Sequence, residues 1–79
     1  MKQVKILINS VDKVKDFINT VSKFDNDFDI VSGKYVIDAK SIMGIFGLDL
    51  SRPHNLRIYE NDESNIKIIL DALQRFLVE

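Results

Sequence analysis

Tyr35-Val36-Ile37-Asp38-Ala39-Lys40-Ser41-Ile42-Met43-Gly44 decides the reading of this chain. The first five residues are a β-rich, largely apolar run, and Ser41 stands where a short helix should begin. A Ser at that position caps a helix, because its side-chain oxygen accepts one of the backbone N–H groups that the first turn leaves unpaired. The helix is expected from Ser41 to about Leu48, with Gly47 near its end. Upstream, Phe28 to Val31 is a second β-rich run, and Ser32-Gly33 reads as the two-residue turn joining it to the Lys34–Asp38 run.

Working outward, Val4, Ile6 and Ile8 alternate with Lys5 and Leu7 as a first strand with one buried face. Ser10 can cap a second amphipathic helix. In it Val11, Val14, Phe17, Ile18, Val21 and Phe24 recur at three- and four-residue spacing, over about 14 residues. Asp12, Lys13, Lys15, Asp16 and Lys23 face away from that stripe, and Asp25-Asn26-Asp27 ends it. Ser51-Arg52-Pro53-His54 reads as a loop, since Pro53 has no N–H and biases Arg52 away from helix. Leu56 and Ile58 alternate with Arg57 and Tyr59 as a last strand. Asp62 or Ser64 then caps a final helix striped by Ile66, Ile69, Leu70, Leu73, Phe76 and Leu77.

The order β-α-β-β-α-β-α predicts an α+β open-faced sandwich: a four-stranded antiparallel sheet covered on one face by three helices. Ferredoxin-like and other split β-α-β folds share most of this order, so the pattern gives the class and not the family. The chain has 79 residues, which suits one domain, residues 1–79, with one modest core. A net charge of -1 argues against a nucleic-acid partner, which would call for a basic surplus. The absence of Cys removes disulfides, thiolate chemistry and zinc–thiolate sites. No apolar run reaches the ~18 residues of a membrane span, and the first is too short for a signal peptide. A cytoplasmic domain without cofactor or metal is expected. Asp25, Asp27 and Asp29 lack the Gly turn and terminal Glu of a calcium loop.

Three segments carry a resemblance. Thr20-Val21-Ser22-Lys23-Phe24-Asp25 is similar to an Ala-Ser-Lys-Tyr/Phe-Asp segment. Ser32-Gly33-Lys34 is similar to an Asn-Gly-Lys hairpin. Lys40-Ser41-Ile42-Met43-Gly44-Ile45-Phe46-Gly47-Leu48 is similar to a Lys-Ser-Ile-Met-Gly-Val/Leu-Met helix. All three belong, in this order, to HPr, the histidine-containing phosphocarrier family of the bacterial sugar phosphotransferase system (PTS). Asn61-Asp62-Glu63 resembles the acidic start of that family's last helix. The resemblance covers nearly the whole chain and implies the HPr-like form of the open-faced sandwich.

The same resemblance exposes a departure. The family's catalytic segment, approximately Gly-Ile/Leu-His-Ala-Arg-Pro, puts an imidazole at the start of the first helix, where free N–H groups favour a phosphoryl group. Counted back without gaps from Ser22, the His position holds Val11, the Arg position Lys13 and the Pro position Val14. A slip of a residue or two changes nothing, because residues 1–53 contain no His. Val11 has no nucleophilic atom, Lys13 lacks the planar fork of Arg, and Asp12 would repel phosphate. His54, the one His, is expected to be a solvated loop residue. Its use as a displaced phosphoryl acceptor would need a new helix N-terminus or a cationic cradle, and Arg52 alone points toward the latter.

What the resemblance leaves is a regulatory face. The Ser matching Ser41 is the regulatory phosphorylation site of many family members, and the residues after it form an apolar docking patch, here Ile42, Met43 and Phe46. Residues 42, 43, 45, 46 and 48 are all apolar, more than one face of a two-turn helix can bury. One division puts Ile45 and Leu48 in the core and Met43 and Phe46 outside. Lys40 could serve as a counter-charge to a phosphate or be solvated. Three readings are open. The first is a non-enzymatic regulatory module similar in logic to Crh, the catabolite-repression HPr-like proteins, with HPr kinase/phosphorylase and a transcriptional regulator as implied partners. The others are a phosphocarrier using His54, and a divergent fold relative with unrelated partners.

Overall fold

The computed structural model describes residues 1–78; Glu79, the last residue of the expected 1–79 domain, lies outside the described residues. Its elements are β1 (Lys2–Ile6), α1 (Val11–Val21), β2 (Phe28–Ser32), β3 (Tyr35–Asp38), α2 (Ile42–Phe46), β4 (His54–Ile58), α3 (Glu63–Ala72), a 3₁₀ turn (Gln74–Phe76) and β5 (Leu77–Val78). The strands form one antiparallel sheet in the order β3-β2-β4-β1-β5. The α+β open-faced sandwich is therefore present, with five strands where four were expected.

The fifth strand has a local cause. The apolar stripe Ile66–Leu77 fits one continuous helix, but α3 ends at Ala72 and the chain tightens through a 3₁₀ turn. That turn sets the Phe76 ring edge-on to Phe17 of α1, with centroids 5.5 Å apart at 90°. Edge-to-face pairs gain ~0.5–1.5 kcal/mol beyond area burial. The Phe76 carbonyl then accepts the Leu7 N–H at 2.8 Å, and Leu77 and Val78 pair with Ile6 and Lys5.

Alternation builds the rest of the sheet. Ile6, Ile30, Leu56 and Ile58 point to the helix side and are buried with Val14, Phe17, Val21, Ile45, Ile69 and Leu73. Each such side chain contributes ~1.5–3 kcal/mol on leaving water. Gln3, Lys5, Asn55 and Arg57 take the alternate positions, on the face left open. Among the described residues no buried side-chain nitrogen or oxygen lacks a partner; buried Thr20, for instance, donates to the Asp16 carbonyl at 2.8 Å.

Four further expectations are corrected. The hairpin turn is Gly33–Lys34, since Ser32 pairs with Tyr35 inside the ladder. Gly33 has φ 59° and no other described residue has positive φ, the φ pattern of a type II′ turn. The α1 helix stops at Val21 rather than near Phe24, because the Lys23 and Phe24 N–H groups bond three residues back and tighten the chain. Phe24 continues the apolar signal by packing beside Phe28. Val11, counted in the apolar stripe, is 55% exposed, because the first turn of α1 projects past the core. His54 is neither in a loop nor solvated: it is the first residue of β4, pairs with Ile6 and is 8% exposed.

Candidate functional site

Two Ser-capped helix starts carry the candidate residues. At α1, Ser10 is extended (φ -150°, ψ 159°) and its hydroxyl oxygen accepts the Lys13 N–H at 3.1 Å. Val11, Asp12 and Lys13 are exposed, while Val14 is fully buried. The positions matched to the family's His, Arg and Pro are thus a bare isopropyl group, a solvated ammonium and a core residue. None of the three supplies an imidazole.

At α2, Ser41 is extended (φ -95°, ψ 106°) and its hydroxyl oxygen accepts the Gly44 N–H at 3.2 Å. The Gly44 position explains how the helix sits. A Cβ there would come within 2.5 Å of the Ile37 Cγ2 and 3.3 Å of the Ser41 oxygen. Gly therefore lets α2 lie close on β3 and keeps the ground beside the hydroxyl open. Only Ile45 of α2 is buried, Leu48 is half-buried, and Ile42, Met43 and Phe46 are exposed, Met43 by 80%. Lys40 is neither solvated nor turned toward Ser41. Its ammonium donates to the Phe24 carbonyl at 2.8 Å and lies 5.7 Å from the Phe28 ring centroid. Packing between α1 and α2 places both helix starts on one side of the sheet.

His54 has a structural occupation. Its Nε2 lies 2.7 Å from the Asp49 carbonyl oxygen, which can only accept, so Nε2 carries the proton. Arg52 turns to the Asp49 carboxylate at 3.9 Å and does not cradle the imidazole. The Ser51 hydroxyl and N–H, donating at 2.6 and 3.1 Å, hold the Asp49 carboxyl below its ordinary 3.8, with Arg52 and His54 adding smaller effects. A depression of about 400 Å³ adjoins this segment, lined by Lys5, Ser32, Arg52, Pro53 and Asn55 among others. Sequence reasoning missed the anchoring of His54, although the alternation His54, Leu56, Ile58 carried the signal. It also missed the tie between Lys40 and Phe24, for which no local signal exists.

Among the described residues no group of three or more His, Cys, Asp or Glu could hold a metal ion, and no helix is long and apolar enough to cross a membrane. The family model described as "PTS HPr component phosphorylation site" matches residues 13–79. The chain belongs to the HPr family. The crystal structure of HPr-C-His from Thermoanaerobacter tengcongensis is similar to it, at 29% identity and TM-score 0.71, over 94% of this chain and 92% of that one. No curated protein matches the chain. Proteins of the HPr family are phosphocarriers that work through other proteins of the PTS. The family match begins at Lys13, so Val11 at the first turn of α1 lies outside it.

Proposed function

We propose that this HPr-family chain is a cytoplasmic regulatory and interaction module, and not a phosphocarrier. The observation that carries this reading is that residues 1–53 contain no His, and that Val11, the residue which ungapped counting matches to the family's phosphoryl-accepting His, is an exposed alkyl side chain. A phosphocarrier needs a nucleophile that can also leave, and an alkyl side chain does neither.

Ser41 is the modification site of this reading. Transfer of the γ-phosphoryl of ATP to its oxygen releases ADP and the hydroxyl proton. The product adds about -1.5 to -2 charge and three acceptor oxygens within reach of the Gly44 N–H that the hydroxyl already caps. Ile42, Met43 and Phe46 supply the adjoining apolar contact for a protein partner. The implied partners are an HPr kinase/phosphorylase and a transcriptional regulator, in a role akin to catabolite repression. His54 supports a phosphocarrier poorly, being buried with Nε2 engaged.

Mass spectrometry of two reactions tests this, each on the native chain and on Ser41→Ala. One contains HPr kinase and ATP, the other enzyme I of the PTS and phosphoenolpyruvate. Phosphate on Ser41 from ATP alone, lost in Ser41→Ala, is expected. Acid-labile phosphate on His54 from enzyme I would overturn the reading in favour of a displaced carrier. No phosphate in either reaction would leave a family member with unrelated partners.

A further inference from the structure

Among the described residues β3 is an edge strand of the sheet. Hydrogen-bond alternation shows which of its groups are unpaired. The Ala39 N–H donates to the Phe28 carbonyl at 2.9 Å, so residues 39 and 28 form a hydrogen-bonded pair of the β2–β3 ladder. Such pairs alternate along antiparallel strands, so residues 37 and 35 also bond inward. The N–H and C=O of Val36, and the N–H of Asp38, consequently point away from β2, and among the described residues no strand lies beyond them. The opposite edge, β5, is only two residues long.

Edge strands are normally guarded by Pro, bulges, inward charges or brevity. β3 is four residues long without Pro, and Asp38 is the one charge within it. Its side chains invite contact on both faces: Tyr35 and Val36 are 64% and 56% exposed. Opposite charges bracket Val36, Lys34 in the preceding turn and Asp38 at the end of the strand. Asp38 also stands directly across from Asp29 within the sheet. Like charges in that position are destabilising, and the Tyr59 hydroxyl, donating to Asp29 at 2.8 Å, relieves one of the two.

We propose that β3 associates with β3 of a second copy of this chain, antiparallel about a two-fold axis through Val36. This register is singled out by the strand itself. With Val36 on the axis, its outward N–H and C=O exchange both hydrogen bonds with those of Val36 in the second copy. Lys34 then falls opposite Asp38 of the second copy, and the symmetry repeats that ion pair on the other side. The new ammonium also offsets the Asp29–Asp38 repulsion. Tyr35 comes opposite Ile37 of the second copy, an aromatic and β-branched pair of the kind that stabilises sheets. The association is weak, since a four-residue edge covers less than standard interfaces do. It is independent of the function proposed above.

Sedimentation velocity on the full chain, from about 10 μM to about 1 mM, tests the proposal across the range of weak complexes. The native chain should shift from monomer to dimer. Lys34→Asp, which sets Asp against Asp twice, should raise the dissociation constant about tenfold or more, and Val36→Lys should abolish the dimer. The charge swap Lys34→Asp with Asp38→Lys should restore it, and circular dichroism checks each fold. Asp38 also accepts the Lys40 N–H, so if the double variant unfolds the two single variants decide. Monomer at every concentration overturns the proposal and leaves the edge to a strand of a different protein. A dimer indifferent to Lys34→Asp and Val36→Lys overturns it too, placing the contact elsewhere.

Discussion

The starts of α1 and α2 solve the same backbone problem in the same way and then diverge. In each, a Ser in extended conformation accepts the N–H three residues on, at 3.1 Å for Ser10 and 3.2 Å for Ser41. Behind its cap, α1 runs eleven residues and buries Val14, Phe17, Thr20 and Val21. Behind its own, α2 runs five and buries Ile45 alone, leaving Ile42, Met43 and Phe46 outside. The core thus holds α1 in place and exposes a start without a His. It barely holds α2, whose apolar surface is left exposed. Identical capping therefore says nothing of function; the difference lies in the helix behind each cap.

The largest effect should separate the two helices by stability. Phe17→Ala removes a fully buried ring and the edge-to-face partner of Phe76, and should cost ~3–5 kcal/mol in a urea melt. That is a large part of the ~5–15 kcal/mol typical of a whole domain. Met43→Ala on α2 should stay within ~0.5 kcal/mol, as exposed substitutions do. Comparable losses at the two sites would break the contrast, because they would mean that the outer face of α2 is packed in solution.

A smaller pair of variants asks whether the caps are alike in energy as they are in geometry. Ser10→Ala and Ser41→Ala should each cost ~1 kcal/mol, read from the same melts. Restoring a cap with Asp at either position should recover most of the loss, while only the Ser41 pair should change the reaction with kinase and ATP. A cost near zero at Ser41 would show that α2 is held by the contact of Gly44 with β3 rather than by its cap.

Those caps were legible in the sequence, as were the order of elements and the fold family, because each rests on local chemistry. A Ser before an apolar-periodic run, or a change in period from two to 3.6, needs no distant partner to be read. The misreadings share the opposite property. His54 follows Pro53 and reads as loop, yet Ile6 pairs with it and the Asp49 carbonyl takes its N–H. Leu77 fits the stripe of the last helix, yet β1 draws it into the sheet. Val11 fits the stripe of α1 but stands where there is no core to receive it. Spacing records which residues could share a face, whereas burial depends on what lies opposite. The absence of a His at the start of α1 needed no such knowledge, since it comes from the count of His.

The third helix sharpens the comparison, because its start is held by carboxylates. Asp62 accepts the Ser64 and Asn65 N–H groups at 2.8 and 3.2 Å. Glu60 accepts the Asn26 side-chain amide at 3.0 Å and the Asn61 and Asp62 N–H groups at 3.1 and 3.2 Å. The Asn26 amide first, and then the Asp62 N–H, hold Glu60 below its ordinary 4.5. A carboxyl whose folded pKa is depressed binds fewer protons folded than unfolded. Its contribution is therefore complete above about pH 4.5 and disappears as pH falls through the lower folded value. Hydroxyl caps do not titrate, so Ser10 and Ser41 should add no slope of this kind. Glu60→Gln should lower the urea midpoint slightly near neutrality and converge with the native chain toward about pH 3, so that its acid decline is shallower, by a small amount because the group is exposed. An acid limb identical to that of the native chain would mean that Asn26 releases Glu60 in solution and that α3 depends on Asp62 alone.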